Sequence, residues 1–312
     1  MLSGGYFKKI ALITFSFMML SIHSGGLIAL SFPLPKTGDI IGDIQFVKAL
    51  EGESLGELGR RYDIGFYEMM EANPDLDPWL PAPNSVVLIP TQFILPQGPR
   101  QGIVLNLAEM RLYYYHSDKP LVTTFPIGIG KKGAPTEKGV WSTPLGQTKV
   151  IRKKKGPSWT PPKGIREEHL KRGDILPLVV PAGPENPLGR YALYLGFKEV
   201  LFHGSPRTGG VGVRSSHGCI RLLPEDIESL YYMVPTGTEV RIIHEPFKVG
   251  WHKNRLYLEA HQPLTEPQYV GSDSLDNLSK AIESVVKERH AVNFATAKMV
   301  AKHPSGYPVR ID

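Results

Sequence analysis

The sequence predicts a mainly β protein, in which a sandwich or barrel-like domain follows a small α+β unit. Three observations carry that reading. From Gly102 onward, short β-type runs alternate with Gly- and Pro-containing turns. Glycine (32) and proline (28) are abundant among the 312 residues, which favours turn-rich β structure over a helical bundle. Upstream, residues 44–90 read in the order strand, helix, helix, strand.

The N-terminus reads as an export signal over residues 1–31. Lys8 and Lys9 precede an apolar stretch from Ile10 to Leu20, and Ala29-Leu30-Ser31 offers small residues for cleavage. An uncleaved anchor is the alternative. Ser21, His23, Ser24 and Gly25-Gly26 break the run short of the ~20 apolar residues a spanning helix needs, which favours cleavage. Losing this segment lowers the formal net charge from +6 to +4, a balance that suits an exported protein facing polyanionic material.

Within 44–90, "IQFVKAL" is a strand candidate. Ser54 and Glu57 form a capping box that opens a helix with Leu55, Leu58 and Tyr62 on one side. A second helix carries Phe66, Met69 and Met70 and stops at Asn73-Pro74, and "SVVLIP" supplies the returning strand. "PTQFILPQGPR" then links this self-contained unit to the larger domain, 101–245. Its strand runs are "GIVLNLAEMRLYYY", "LVTTFPIGIG", "GVWSTPLGQTKVI", "LPLVVPAG", "YALYLGF", "EVLFHGS" and "GTEVRIIH". Between Arg152 and Pro177 the pattern breaks into a Pro-rich insertion, the kind of segment that serves as a lid or binding loop. The basic runs Arg152–Lys155 and Arg166–Arg172 do not argue for nucleic acid, because Glu167, Glu168 and Asp174 are interleaved, as on solvated faces. Residues 246–312 form a partly helical extension, with Leu275, Leu278, Ile282, Val285 and Val286 at helical spacing and no evident chemistry.

One stretch concentrates reactive side chains. Cys219, the single cysteine, lies in "SHGCIRL", sixteen residues after His203-Gly204 and beyond the glycine-rich "TGGVG". Export places this thiol in an oxidising compartment where no internal disulfide is open to it, so it is either buried and inert or kept for its reactivity. In an extended chain His217, Cys219 and Arg221 share one face, and Gly218, Ile220 and Leu222 the other. The second face suits a core, and the first suits burial only if it does chemistry. An imidazole beside a thiol, with a cation near, is the equipment of thiol acyl transfer. A carbonyl beside the histidine can orient it, and glycine before the cysteine leaves room and amides for an oxyanion.

The combination of His203-Gly204 with Ser216-His217-Gly218-Cys219 resembles the signature of the L,D-transpeptidases, also called the YkuD family, in their periplasmic ErfK/YbiS-like subgroup. "GIVLNLAEMRLYYY" and "PAGPENPLGRYALYLG" look like further parts of its catalytic domain. Residues 44–90 resemble the LysM module, a binder of N-acetylglucosamine-containing glycans, with "GES" in place of the usual Gly-Asp-Thr. The resemblance implies a YkuD-type β domain and, by position, a nucleophile at Cys219, a base at His203 oriented by the Gly204 carbonyl, and help from His217. It implies an oxyanion site at the Gly218 and Cys219 amides. Arg221 and Ser216 would meet substrate, with an ion pair holding the strand as the other reading of Arg221. Trp159 and Tyr191 would line the acyl-donor groove, with core packing the equal alternative for both. The implied substrate is a peptidoglycan tetrapeptide stem, attacked at the L-centre of diaminopimelate with loss of D-alanine. The acyl group then passes to another stem or to a lysine of an outer-membrane lipoprotein, in a Gram-negative periplasm and without metal or cofactor. Three rivals stand beside this: an L,D-carboxypeptidase with water as acceptor, a zinc site made of His203, His217 and Cys219, and a non-catalytic wall-binding protein.

Overall fold

The computed structural model describes residues 29–131, 142–266, 269–286 and 290–312, together with the backbone of 135–136 and 139–140. The first third contains β1 (Leu30–Pro33), β2 (Ile40–Gly42), β3 (Gln45–Lys48), α1 (Leu55–Arg61), α2 (Phe66–Ala72), β4 (Val86–Ile89) and β5 (Gln92–Ile94). Next come β6 (Gly102–Asn106), β7 (Arg111–Tyr115), β8 (Leu121–Pro126), β9 (Ile129–Gly130), β10 (Pro135–Thr136), β11 (Gly139–Val140) and β12 (Gly146–Lys155). The insertion carries α3 (Lys163–Lys171), and β13 (Tyr191–Leu195), β14 (Leu201–Gly204), β15 (Arg214–Ser216), β16 (Ile220–Leu222), α4 (Pro224–Met233) and β17 (Glu239–Ile243) follow. The C-terminal part is β18 (Phe247–His252), β19 (Arg255–Ala260), α5 (Leu275–Val285), α6 (Phe294–Lys302) and β20 (Val309–Arg310).

A nine-stranded mixed sheet in the order β1-β8-β7-β6-β17-β12-β13-β14-β16 organises the molecule. It is parallel at β6/β17 and β14/β16 and antiparallel elsewhere. Long β12 pairs with β17 through its first half and with β13 through its second, and a bulge between Val150 and Arg152 curls the sheet there. The protein is mainly β, as the runs predict, but the sheet is covered in an unexpected way. Alternate residues of β6 and β7 enter two different cores. Ile103, Leu105, Leu112 and Tyr114 face the core that α4 closes, together with Phe202, Ile220, Leu222, Ile227 and Leu230. Val104, Tyr113 and Tyr115 face the opposite way, onto Leu55, Leu58, Met69, Val87 and Ile89.

Residues 44–90 therefore do not form a self-contained unit. The two helices and the β3–β4 pair form where the sequence predicts them, and Ser54 and Glu57 make the reciprocal capping box. Their apolar faces, however, share one core with the sheet. Fully buried Arg111 on β7 is also held bidentate by Glu68 of α2, at 2.7 and 2.9 Å.

The C-terminal part is partly helical, as its spacing predicts, and is packed into the rest of the molecule. β18, β19 and β20 form a sheet with α5 and α6 against it, around Val249, Leu258, Leu278, Ile282, Ala297 and Val300. Lys248 of β18 is fully buried; it pairs with Glu109 and, at 2.7 Å, with Glu259, and donates to the Ile94 carbonyl at 2.8 Å. His261 bridges Glu259 (2.8 Å) and Glu71 (3.3 Å) and is held up at about 10, because these carboxylates outweigh the burial that pulls it down. Three parts of the chain meet in this charged knot.

Candidate active site

The site grows from one parallel strand pair. β14 and β16 pair Phe202 with Ile220, His203 with Arg221 and Gly204 with Leu222. Side chains paired across adjacent strands share a face, so Phe202, Ile220 and Leu222 fill the core while His203 and Arg221 lie together on the other side. Cys219 lies one residue before β16 and packs, half-buried, against the small cluster of Leu188, Ala192 and Leu201. This is the alternation the motif predicts.

Buried His203 presents Nδ1 to the Gly204 carbonyl at 2.6 Å. A carbonyl only accepts, so Nδ1 carries the proton and Nε2 the lone pair. Burial lowers His203 to about 4, with Arg221 adding to the lowering and the Gly204 and Pro187 carbonyls opposing it. The Cys219 thiol donates to the Glu199 carbonyl at 3.4 Å. Burial raises it to about 11, although the Leu201 amide and the Arg221 charge favour the thiolate. At rest the pair is thus a neutral thiol and a neutral imidazole, because removing both groups from water disfavours either charge.

Ser216 is fully occupied inside the motif. Its hydroxyl donates to the Cys219 carbonyl at 2.5 Å and accepts from the Gly218 amide at 3.2 Å. It is 1% exposed, so the substrate contact expected of it is replaced by a turn-building role. For the same reason the Gly218 amide, expected to face an oxyanion, already has a partner. Gly218 itself sits at φ +100, a conformation that L side chains rarely adopt. Arg221 donates to Ser215 Oγ at 3.0 Å, while its buried Nε has no acceptor and no carboxylate pairs with it among the described residues. The ion-pair reading of Arg221 therefore finds no partner there.

Two aromatic candidates part company. Trp159 packs on the Leu188–Ala192–Leu201 cluster beside Cys219, held by a two-way backbone bridge to Val180 at 2.8 and 2.7 Å. Tyr191 faces the opposite side of β13, buried in the main core with its hydroxyl donating to Glu228 at 2.7 Å. The groove-lining expectation for Tyr191 fails because side chains alternate along a strand, and the residue of β13 on the thiol's side is Tyr194.

The insertion reaches the site through a residue that sequence reasoning placed on a solvated face. Glu168 of α3 takes His217 Nε2 at 3.1 Å on one oxygen, and Lys131 (3.3 Å) and Arg172 on the other. Burial pulls His217 down and Glu168 pulls it up, with the net shift downward. Both ends of the insertion are gathered by Asn186, 1% exposed, which donates to the carbonyls of Pro157 (2.9 Å), Val180 (3.3 Å) and Pro181 (2.9 Å). The Pro-flanked "PENPLG" hints at a turn there, but nothing local marks Glu168 as a partner of His217. The zinc reading loses its geometry: among the described residues the one trio of metal-type ligands within mutual reach is Glu109, Glu259 and His261, and Lys248 already pairs with both of its carboxylates.

Comparison with known proteins converges on one family. The profile of YkuD, the L,D-transpeptidase catalytic domain, matches residues 100–242. Over 291 residues the chain is 42% identical to the Escherichia coli (strain K12) protein named "Probable L,D-transpeptidase YbiS", covering 91% of this chain and 92% of that one. It is 44% identical over 241 residues to "Probable L,D-transpeptidase YcfS" of the same strain, covering 76% of this chain and 74% of that one. With "Probable L,D-transpeptidase ErfK/SrfK" of that strain the figures are 43% over 242 residues and 76% of each chain. The β14–β16 pair carrying His203 and Arg221, with Cys219 just before β16, lies inside the matched region, and the chain belongs to the L,D-transpeptidase family.

Proposed function

We propose that this L,D-transpeptidase acts on peptidoglycan in the periplasm, with Cys219 as nucleophile and His203 as base. The observation that carries the reading is the β14–β16 register, which sets His203 against Arg221, two residues from Cys219, with His203 Nδ1 fixed by the Gly204 carbonyl. Sγ attacks the carbonyl of the L-centre of diaminopimelate in a tetrapeptide stem. His203 Nε2 takes the thiol proton in that step and delivers it to the departing D-alanine nitrogen as the C–N bond breaks. An acceptor amine then attacks the thioester, passes its proton to His203 and releases the thiol. Because the resting pair is neutral, the ion pair forms only as the carbonyl is attacked.

Arg221, with an unpartnered buried Nε, is the proposed holder of a stem carboxylate, and Trp159 with Tyr194 forms the adjoining wall. Residues 44–90 are the proposed glycan contact, supported by the strand–helix–helix–strand order. The acceptor is a second stem amine or a lipoprotein lysine, and water in that place would make the enzyme a carboxypeptidase. Incubating the purified protein with tetrapeptide stems, with and without an amine acceptor, tests this by mass spectrometry. The expected result is D-alanine release, a Cys219 adduct and an amide cross-link, all absent in Cys219→Ala. Turnover by that variant overturns the assignment.

A further inference from the structure

The basic run of β12 is split by the bulge that curls the sheet. Residues two apart on a regular strand share a face, so Arg152 should follow Val150 into the main core. The register reverses this: Val150 pairs with Leu195, but Arg152 pairs with its neighbour Tyr194, and Ile151 is the extra residue between them. Arg152 and Lys154 thereby share a face with Tyr194 and Ala192, which pack in one cluster with Cys219. Lys153 and Lys155 go to the other side, their ammonium groups 4.6 Å from the Tyr231 ring and 5.8 Å from the Tyr191 ring. The bulge thus aims two cations of the run at the catalytic face. Both are exposed, and neither is paired with a carboxylate among the described residues.

Two rows of paired residues cross that face. One runs Lys154, Ala192, His203, Arg221; the other runs Arg152, Tyr194, Leu201 and on to the level of Cys219. Strands lie about 4.8 Å apart, so Arg152 and Cys219 are about 14 Å apart along the sheet. An extended tetrapeptide covers about the same length, at about 3.5 Å per residue. The Arg152 guanidinium closes part of that span, because it lies 3.9 Å over the Tyr194 ring, and such stacking holds a cation without neutralising it. We infer that Arg152 and Lys154 bind a second carboxylate of the donor stem, on the acyl side of the scissile bond. The inference rests on the transpeptidase reading proposed above, in which Arg221 takes the first carboxylate. The D-alanine carboxylate is only one residue from the scissile carbonyl and too near it to reach Arg152. The carboxylates on the acyl side, at the end of the diaminopimelate side chain and on the residue before it, lie further out. They also stay on the enzyme after D-alanine leaves, so the pair holds the acyl-enzyme through the acceptor step. Arg152 offers a bidentate grip and Lys154 a point charge beside it.

The test compares tetrapeptide stems whose acyl-side carboxylates are free with stems amidated there, by the rate of D-alanine release. The wild-type enzyme should prefer the free stem about tenfold, the worth of two exposed ion pairs. The preference should lie in KM, with kcat changed by less than about twofold, because binding kept equally in ground and transition states moves KM alone. Arg152→Gln/Lys154→Gln should lose the preference while processing the amidated stem as the wild type does, and Arg152→Gln alone should lose about threefold of it. Lys153→Gln/Lys155→Gln removes the same charge from the other side of the strand and should keep the preference. Equal use of both stems by the wild type, or equal loss in the two double variants, would overturn this inference alone. Unchanged kinetics with weaker retention of Arg152→Gln/Lys154→Gln on intact wall would also overturn it, assigning the pair to an anionic polymer. No D-alanine release from any stem by the wild type would overturn the donor reading and this inference with it.

Discussion

Cys219 and His203 are both tuned away from ionising, with the thiol raised to about 11 and the imidazole lowered to about 4 by burial. Because only the thiolate alkylates readily, the rate of iodoacetamide addition to Cys219 should be low at pH 7 and rise about tenfold per pH unit until above pH 10. A rate that levels off near pH 7, followed by intact mass, would instead indicate a resting thiolate. His203 also has a stability consequence. Its folded value lies below its unfolded value near 6.5, so its contribution is present above that pH and is lost as pH falls toward 4. His203→Ala should lose roughly 10²–10⁴-fold in acylation rate, the usual worth of base assistance. Measured against His217→Ala under the same conditions, the larger loss identifies the base.

At the scale of elements, the decisive contact is between α3 and the motif loop. Glu168 joins His217 to Lys131 and to its own helix through Arg172, so the insertion is latched on the site by one carboxylate. The latch is partly exposed, and such ion pairs contribute only about 0–1 kcal/mol. Glu168→Gln should therefore leave the melting temperature nearly unchanged while speeding proteolysis within residues 163–178. It should also lower His217 further, because the carboxylate favours the charged imidazole. An NMR titration of the His217 ring checks the second point; an unmoved titration with faster proteolysis would show that Glu168 only anchors the helix.

The whole molecule is built more tightly than a string of domains. Val104, Tyr113 and Tyr115 of the catalytic sheet are covered by residues 44–90, and Arg111 depends on Glu68. Deleting residues 32–95 should therefore yield an unstable or aggregating protein rather than a free-standing catalytic domain, as far-UV circular dichroism and gel filtration of the truncated chain would show. The C-terminal part is equally bound in. Lys248→Ala leaves Glu109 and Glu259 buried without their cation, a change that typically costs about 3–5 kcal/mol. Urea unfolding of that variant, at the single-site level, measures it without altering the active site.

Several features were legible in the chain alone because they depend on neighbours within a few residues. The capping box at Ser54 and Glu57, the helical spacing that became α5, and the alternation that sends Ile220 and Leu222 inward are of this kind. The sequence by itself also determined the mainly β architecture and the motif that identifies the family. Only the tertiary structure decided which side of β13 faces the thiol, because Tyr191 and Tyr194 are both apolar enough for either side of a sheet buried on both faces. It likewise decided that 44–90 shares a core with the sheet, and that Glu168, 49 residues from His217 in sequence, lies against it. The protonation states belong to this second class. Burial and charge act through space, and the groups that set them for Cys219 and His203 come from chain segments brought together only by folding.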